Sequence, residues 1–130
     1  MPLSYHIDEA RGLLSLKGSG SITADDIDAY VEEVLEDPRQ AYVTQELADF
    51  RDAEFSVTPD RVVKLAALDR KRLSRMKIVR RAIVVSNDLQ YGLARMYGQF
   101  LAPSGQEVRP FHDIDEARRW LETGEDGEDA

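Results

Sequence analysis

The stretch Ala82-Ile83-Val84-Val85-Ser86-Asn87-Asp88-Leu89 decides the fold class. Four consecutive apolar residues, three of them β-branched, read as a central strand from Ala82 to Val85, buried on both faces. Asn87 or Asp88 then supplies a helix cap. Leu89, Leu93, Met96, Tyr97 and Phe100 recur at helical spacing, which predicts a helix with those side chains on one inward face. Pro103 and Gly105 end it. Such a strand running directly into a helix is the repeating unit of an α/β protein, with helices packed on a largely parallel sheet.

Working outward, the same unit recurs. Downstream, Val108 to Phe111 reads as a short strand, and Pro110 places it at an edge or a strand end. Asp113-Ile114-Asp115-Glu116 opens a last helix with a capping pattern, Ile114, Ala117 and Leu121 face inward, and Gly124 stops it. Upstream, Thr58-Pro59 is a cap followed by proline at the first helical position. Val62, Leu65, Ala66 and Leu73 form the inward face of that helix. A strand through Glu46 to Phe50 precedes it. Before that, Thr23 caps a helix in which Ile27, Tyr30, Val31, Val34 and Leu35 share one face and Asp25 and Asp26 favour the dipole, and Pro38 stops it.

The chain opens as a hairpin. Tyr5 and Ile7 alternate with polar neighbours, Arg11-Gly12 makes the turn, and Leu14 and Leu16 alternate on the return strand, which Gly18-Ser19-Gly20 is expected to end. The order is therefore ββαβαβαβα: a mixed, mostly parallel five-stranded sheet with an N-terminal hairpin and four helices. Residues 1–122 make one domain. Residues 123–130 are acidic and glycine-containing, a composition that predicts disorder.

Bulk composition excludes several functions. The chain has 130 residues, enough for one core, with 42% hydrophobic and 32% charged residues. No run approaches the roughly 18 apolar residues that would span a bilayer. The N-terminus, Met1-Pro2-Leu3-Ser4-Tyr5-His6, shows no basic-then-apolar leader. Absence of cysteine excludes disulfides and thiol chemistry, and together these features point to the cytoplasm. A net charge of −8 disfavours nucleic acid and anionic lipid as partners.

Charge is unevenly laid out. Residues 25–37 hold seven acids and no base, whereas residues 61–81 hold nine bases and one acid, Asp69. Cations at a helix end and the acidic first helix close by explain part of that run. A docking surface for an acidic partner, built from Arg70, Lys71, Arg72 and Arg75, would explain the rest.

The strand and helix Ala82-Ile83-Val84-Val85-Ser86-Asn87 through Tyr91-Gly92-Leu93-Ala94-Arg95-Met96-Tyr97, together with the ending Phe111-His112-Asp113-Ile114-Asp115-Glu116-Ala117-Arg118-Arg119-Trp120-Leu121, resemble the STAS-like (anti-sigma-factor-antagonist-like) α/β proteins and their small bacterial relatives. The resemblance covers residues 3–122. It implies a sheet with helices against it and a role in binding or regulation rather than catalysis. The family's phosphorylated serine sits at a helix start after a strand that resembles Asp49-Phe50-Arg51. Here the matching Val57-Thr58-Pro59-Asp60 has no serine pair and no glycine, and Pro59 falls at the acceptor position. Thr58 or Ser56 could take a phosphate at a helix N-terminus, and Thr58 alternatively serves only as the cap.

Other candidate chemistry is sparse. His6 and His112 fall on predicted strands far apart in sequence, without metal-ligand spacing. Asp49 stands where a strand was expected to end, so ligand contact and a loop hydrogen bond are both open readings. Asp52 and Glu54 add carboxylates, but no nucleophile accompanies them. Gly18-Ser19-Gly20 lacks the pattern of a phosphate cradle. Tyr91 lies off the apolar face of its helix and is an open candidate for ligand contact.

The expected function is therefore a non-catalytic regulatory or scaffolding module that binds an as yet unknown protein partner, with no cofactor and no metal. Homodimerisation through an exposed helix face is an alternative assembly. A small-molecule or lipid-binding domain is the alternative function, because the element order is also similar to CRAL-TRIO architectures that hold apolar ligands. An enclosed apolar cavity against the sheet would favour it. An enzyme would need Asp49, Asp52 and His112 to converge in a cleft.

Overall fold

In the computed structural model, which describes residues 2–124, the chain turns at Gly12, whose φ of 65° falls where only glycine is unstrained. Strands β1 (Leu3–Asp8) and β2 (Leu13–Thr23) form the antiparallel hairpin. The remaining strands are β3 (Gln45–Ser56), β4 (Arg80–Val84) and β5 (Glu107–Phe111), each parallel to its predecessor, in the spatial order β1-β2-β3-β4-β5. The helices are α1 (Ala24–Glu36), α2 (Pro59–Leu73), α3 (Asp88–Leu101) and α4 (Ile114–Thr123). This is the mixed five-stranded sheet and ββαβαβαβα order that the sequence predicts.

Sequential strand order with crossovers of one hand places α1, α2 and α3 on the same face of the sheet. The main core lies there, between those helices and Leu14, Leu16, Ala48, Phe50, Ile83 and Val85. A smaller core lies under α4 on the opposite face, where Ala117, Trp120 and Leu121 meet Leu47, Ala82 and Val84. Alternation along β4 thus feeds both cores, as a doubly buried strand requires. Trp120 is almost fully buried and packs on Phe111 with ring centroids 5.6 Å apart.

The caps match the expected residues. Thr23 and Asp26 form a reciprocal capping box on α1. Thr58 caps α2 with Pro59 following, and Asn87 caps α3. Asp113 accepts from two backbone N–H groups of α4, and Gly124 ends that helix with φ 73°. The expected disordered segment falls mainly on residues 125–130, which lie outside the described residues.

Two expectations need correction. Gly18-Ser19-Gly20 does not end β2; it bends it. The pairing with β3 shifts register between Lys17 and Ser19, and the strand continues to Thr23. A Cβ on Gly18 would lie 2.4 Å from Phe50 Cδ1, so glycine is what lets the Phe50 ring lie across the strand. Strand β3 likewise runs well past Phe50. Beyond Asp49, where β4 stops at Val84, β3 pairs with β2 alone as far as Ser56. The N–H of Phe55 on the open side donates to Gln90 Oε1 at 2.8 Å.

The second correction concerns α3. Its buried face is Gln90, Leu93, Ala94, Tyr97, Gly98 and Leu101, whereas Leu89 is 72% and Phe100 44% exposed. Leu93 and Tyr97 of the expected face are buried and Met96 is half-buried, but the face is turned so that Ala94, Gly98 and Leu101 take the places expected of Leu89 and Phe100. A Cβ on Gly98 would stand 2.7 Å from the Val108 carbonyl oxygen, so α3 lies directly on β5 there. Counting large apolar residues finds only part of such a face, because Ala94 and Gly98 supply the rest.

Candidate functional site

The basic run divides into two populations. Arg70 and Lys71, in the last turn of α2, and Arg75, just beyond it, are exposed. Arg72, the fourth residue of the expected docking surface, is not exposed in the same way. Its side chain is 11% exposed and reaches across to α1, with NH2 2.9 Å from Asp28 Oδ1 and NH1 3.5 Å from Glu32 Oε1. It also pairs tightly with the fully buried Asp69 on its own helix. Burial alone would lower the Arg72 pKa; the hydrogen bond to Asp69 and the neighbouring acids outweigh that and raise it. The acid-rich α1 therefore consumes one guanidinium of the run.

Arg81 is consumed by the interior. Glu46 and Arg81 are register partners on β3 and β4, and both point to the three-helix face, in step with Ala48 and Ile83. Arg81 NH2 lies 3.4 Å from Glu46 Oε1, and Arg81 NH1 donates to Tyr97 Oη at 2.9 Å. The Tyr97 hydroxyl donates to Asp69 Oδ2 at 2.7 Å, and Tyr30 donates to Glu46 Oε2 at 3.3 Å. A continuous polar chain thus runs through the core from Tyr30 to Arg72.

The electrostatics follow from burial and neighbours. Desolvation would depress the Arg81 pKa, but the Glu46 carboxylate and then Tyr97 outweigh it, and the guanidinium is held above its ordinary value. Burial, reinforced by Glu46, raises Tyr30 well above the usual phenol range. Tyr97 is raised by burial against the opposing pull of Arg81. A cavity of about 70 Å³ opens beside this chain. Its wall combines apolar side chains, among them Leu16, Val31, Leu93 and Ala94, with Tyr30, Glu46, Asp69, Arg81 and Tyr97.

The candidate switch residues have separate partners. Asp49 is not at a strand end. Its carboxylate accepts from Arg51 Nε at 2.9 Å and NH2 at 2.8 Å, and from Lys17 Nζ at 3.2 Å. The Arg51 hydrogen bond holds its pKa well below the usual carboxylate range. Lys17 also bridges to Asp52 at 3.0 Å. Thr58 Oγ1 accepts from the Arg61 N–H at 3.3 Å, and Ser56 is the exposed last residue of β3. Tyr91 stacks on His112, with ring centroids 4.7 Å apart and planes 15° from parallel, and His112 Nε2 lies 3.4 Å from Asp88 Oδ1.

His112 therefore has partners on α3, whereas Asp49 and Asp52 share Lys17 on β2. His112 follows β5 rather than lying within it, and His6 is exposed on β1. Among the described residues, no group of three His, Asp or Glu side chains could hold a metal ion. None of the helices described is long and apolar enough to cross a membrane.

Sequence reasoning missed Glu46, Asp69, Arg81 and the Tyr97 hydroxyl as one unit. The signals were present. Glu46 and Arg81 sit at even spacing from core residues of their strands, and Asp69 falls on the same α2 face as Leu65, Ala66 and Leu73. An acid on an apolar helical face is a mark of a buried pairing.

A five-stranded sheet of this order, with three helices on one face and one on the other, defines a mixed α/β domain. The sequence profile of the SpoIIAA-like family matches residues 13–122, and the chain belongs to that family. It is similar in fold to an uncharacterized protein with a SpoIIAA-like fold from Shewanella loihica PV-4, at 20% identity and a TM-score of 0.57, over 92% of this chain and 93% of that one. It is also similar in fold to the anti-sigma factor antagonist SpoIIAA in its unphosphorylated form, at 14% identity and a TM-score of 0.57, over 93% of this chain and 98% of that one. No curated protein sequence matches the chain.

Proposed function

We propose that this domain is a non-catalytic, cytoplasmic regulatory or scaffolding module that captures an acidic segment of a partner protein on the C-terminal end of α2. The observation that carries the reading is the sorting of the basic run. Arg72 and Arg81 are spent inside the fold, while Arg70, Lys71 and Arg75 stand exposed with no ion pair among the described residues. Three cations gathered at one helix end attract acidic segments and speed their encounter. Membership of the SpoIIAA-like family, whose fold is also that of an anti-sigma factor antagonist, supports a regulatory role.

In this reading the family's phosphoserine device is degenerate. Pro59 stands where the resemblance places the acceptor, and the Thr58 hydroxyl is engaged as the α2 cap. The overall negative charge continues to disfavour nucleic acid as the partner.

The test begins with native mass spectrometry of the protein gently isolated from its own cytosol, to identify the bound protein. Capture of that partner is then measured for the triple reversal Arg70→Glu, Lys71→Glu, Arg75→Glu. Arg119→Glu on α4, across the sheet, is the control. The expected result is capture weakened at least about tenfold by the reversal, unchanged by the control, and steeply salt-dependent in the parent. Unchanged capture by a folded triple variant overturns the proposal. A doubled mass alone would replace the acidic partner with a second copy of this chain.

A further inference from the structure

We propose that the outer face of α1 and α2 is a self-recognition surface, on which a second copy of this chain docks so that the acidic α1 of each copy meets the basic stripe of α2 on the other. This surface shares Lys71 and Arg75 with the capture of an acidic partner, but the pairing needs no other protein.

The two stripes follow from helical spacing. Helix α1 buries Tyr30, Val31 and Val34, and α2 buries Val62, Leu65, Ala66 and Leu73. At about 100° per residue, Asp25, Glu32 and Glu36 fall on the opposite, outward side of α1. Lys64, Lys71 and Arg75 fall likewise on the outward side of α2 and the turn that follows it. All of them are exposed. Acids and bases share one spacing, i, i+7 and i+11, so the stripes match residue for residue. Glu32 has a contact of 3.5 Å to Arg72, and the others make no ion pair among the described residues.

Within one copy the stripes lie side by side. Arg72 reaches from α2 to Asp28 and Glu32, which sets the two helices next to each other. Helical side chains lean toward the N-terminus, so those contacts put Lys71 at about the height of Glu32. Both helices connect parallel neighbouring strands, so they run in the same direction. A two-fold axis lying in the interface, along the seam between α1 and α2, therefore turns α1 of one copy onto α2 of the other and keeps each residue at its own height. Asp25 then meets Lys64, Glu32 meets Lys71 and Glu36 meets Arg75, and symmetry repeats each pair. A single exposed pair contributes little. A matched array of them around Leu68, which is 45% exposed on α2, has the charged rim and apolar centre of an interface. The net charge of −8 opposes self-association, but five of the acids fall within residues 122–130 and the rest of the chain carries only −3.

The experiment is sedimentation velocity on the purified full chain. The parent is expected to dimerise with a dissociation constant on the order of 10–100 µM at about 0.05 M salt, and at least about tenfold more weakly at about 0.5 M. The acid reversal Asp25→Lys, Glu32→Lys, Glu36→Lys and the base reversal Lys64→Glu, Lys71→Glu, Arg75→Glu are each expected to be monomeric, because like charges then face each other. Mixed together, the two should pair again, since each restores the opposite charge to the other. If a triple variant does not fold, the single reversals Glu36→Lys and Arg75→Glu carry the same test, each weakened about tenfold alone and recovered on mixing. A parent that stays monomeric at about 0.5 mM protein and low salt, folded reversals that dimerise as the parent does, or a mixture of folded reversals that stays monomeric would each overturn the proposal. Capture of an acidic partner is read separately, on the protein isolated from its own cytosol, so either reading can fail without the other.

Discussion

Glu46 and Arg81 face each other across the β3–β4 ladder with both side chains turned into the apolar core. The pair joins adjacent parallel strands, and Tyr30 from α1 and Tyr97 from α3 close on it from above. Removing one partner would strand the other charge in the interior. Arg81→Met is expected to cost about 3–5 kcal/mol in urea unfolding at pH 7. The double variant Glu46→Leu with Arg81→Met should cost far less than the sum of the two singles. Additive losses in that double-mutant cycle would show that the two charges are not energetically coupled.

Much of the fold is legible because the helix caps and the apolar strand β4 are local signals. Thr23, Thr58 and Asp113 announce helix starts through short-range hydrogen bonds that depend on no distant contact. The long β2–β3 ribbon is not legible in that way. Its outer half, Arg51 to Ser56, is polar and reads as a loop, and only the pairing with Ser19 to Thr23 makes it strand. Of the candidate site, the exposed cations of α2 can be read from sequence, but their division into free and buried members cannot. Whether an arginine is spent on Asp28 or on solvent depends on which helix lies beside it.

That division is testable on adjacent residues. Arg72→Ala should cost about 3 kcal/mol or more, because Asp69, with no exposed surface, loses its cation. Arg70→Ala should change stability by no more than about 0.5 kcal/mol. Chemical unfolding of the two variants decides the matter, and equal losses would mean that the basic run acts as one exposed patch.

Gly18 makes a steric prediction. A methyl group there would meet the Phe50 ring at 2.4 and 2.7 Å. Gly18→Ala should therefore destabilise the domain by about 1–3 kcal/mol. Most of that loss should vanish in a Phe50→Leu background, where the ring edge is gone. If the loss persists there, the requirement for glycine lies in the strand backbone and not in the ring.

Asp49 gives a pH dependence with a definite sign. Its folded pKa is depressed by Arg51, whereas an unfolded aspartate titrates near about 3.9. The stabilisation is therefore complete above about pH 4 and is lost as pH falls through the lower folded value. Because Lys17 and Arg51 are partly exposed and screened, Asp49→Asn should cost only about 0.5–1 kcal/mol at pH 7. The gap between parent and variant in urea midpoint should narrow between pH 4 and 2, and a constant gap would remove Asp49 from the acid-sensitive groups.

Thr58 separates a cap from a switch. Its hydroxyl accepts from the Arg61 N–H, so Thr58→Ala should lose about 1 kcal/mol. Asp caps as well as Thr and adds a favourable charge at the helix N-terminus, so Thr58→Asp should restore parent stability within about 0.5 kcal/mol. The same Asp variant carries part of the charge a phosphate would bring. If Thr58 serves only as a cap, the Ala and Asp variants capture the partner equally well at temperatures where both are folded. A difference in capture between two folded variants would instead place a switch at this helix start, and the proline at the next position would then have displaced the acceptor by one residue without abolishing it.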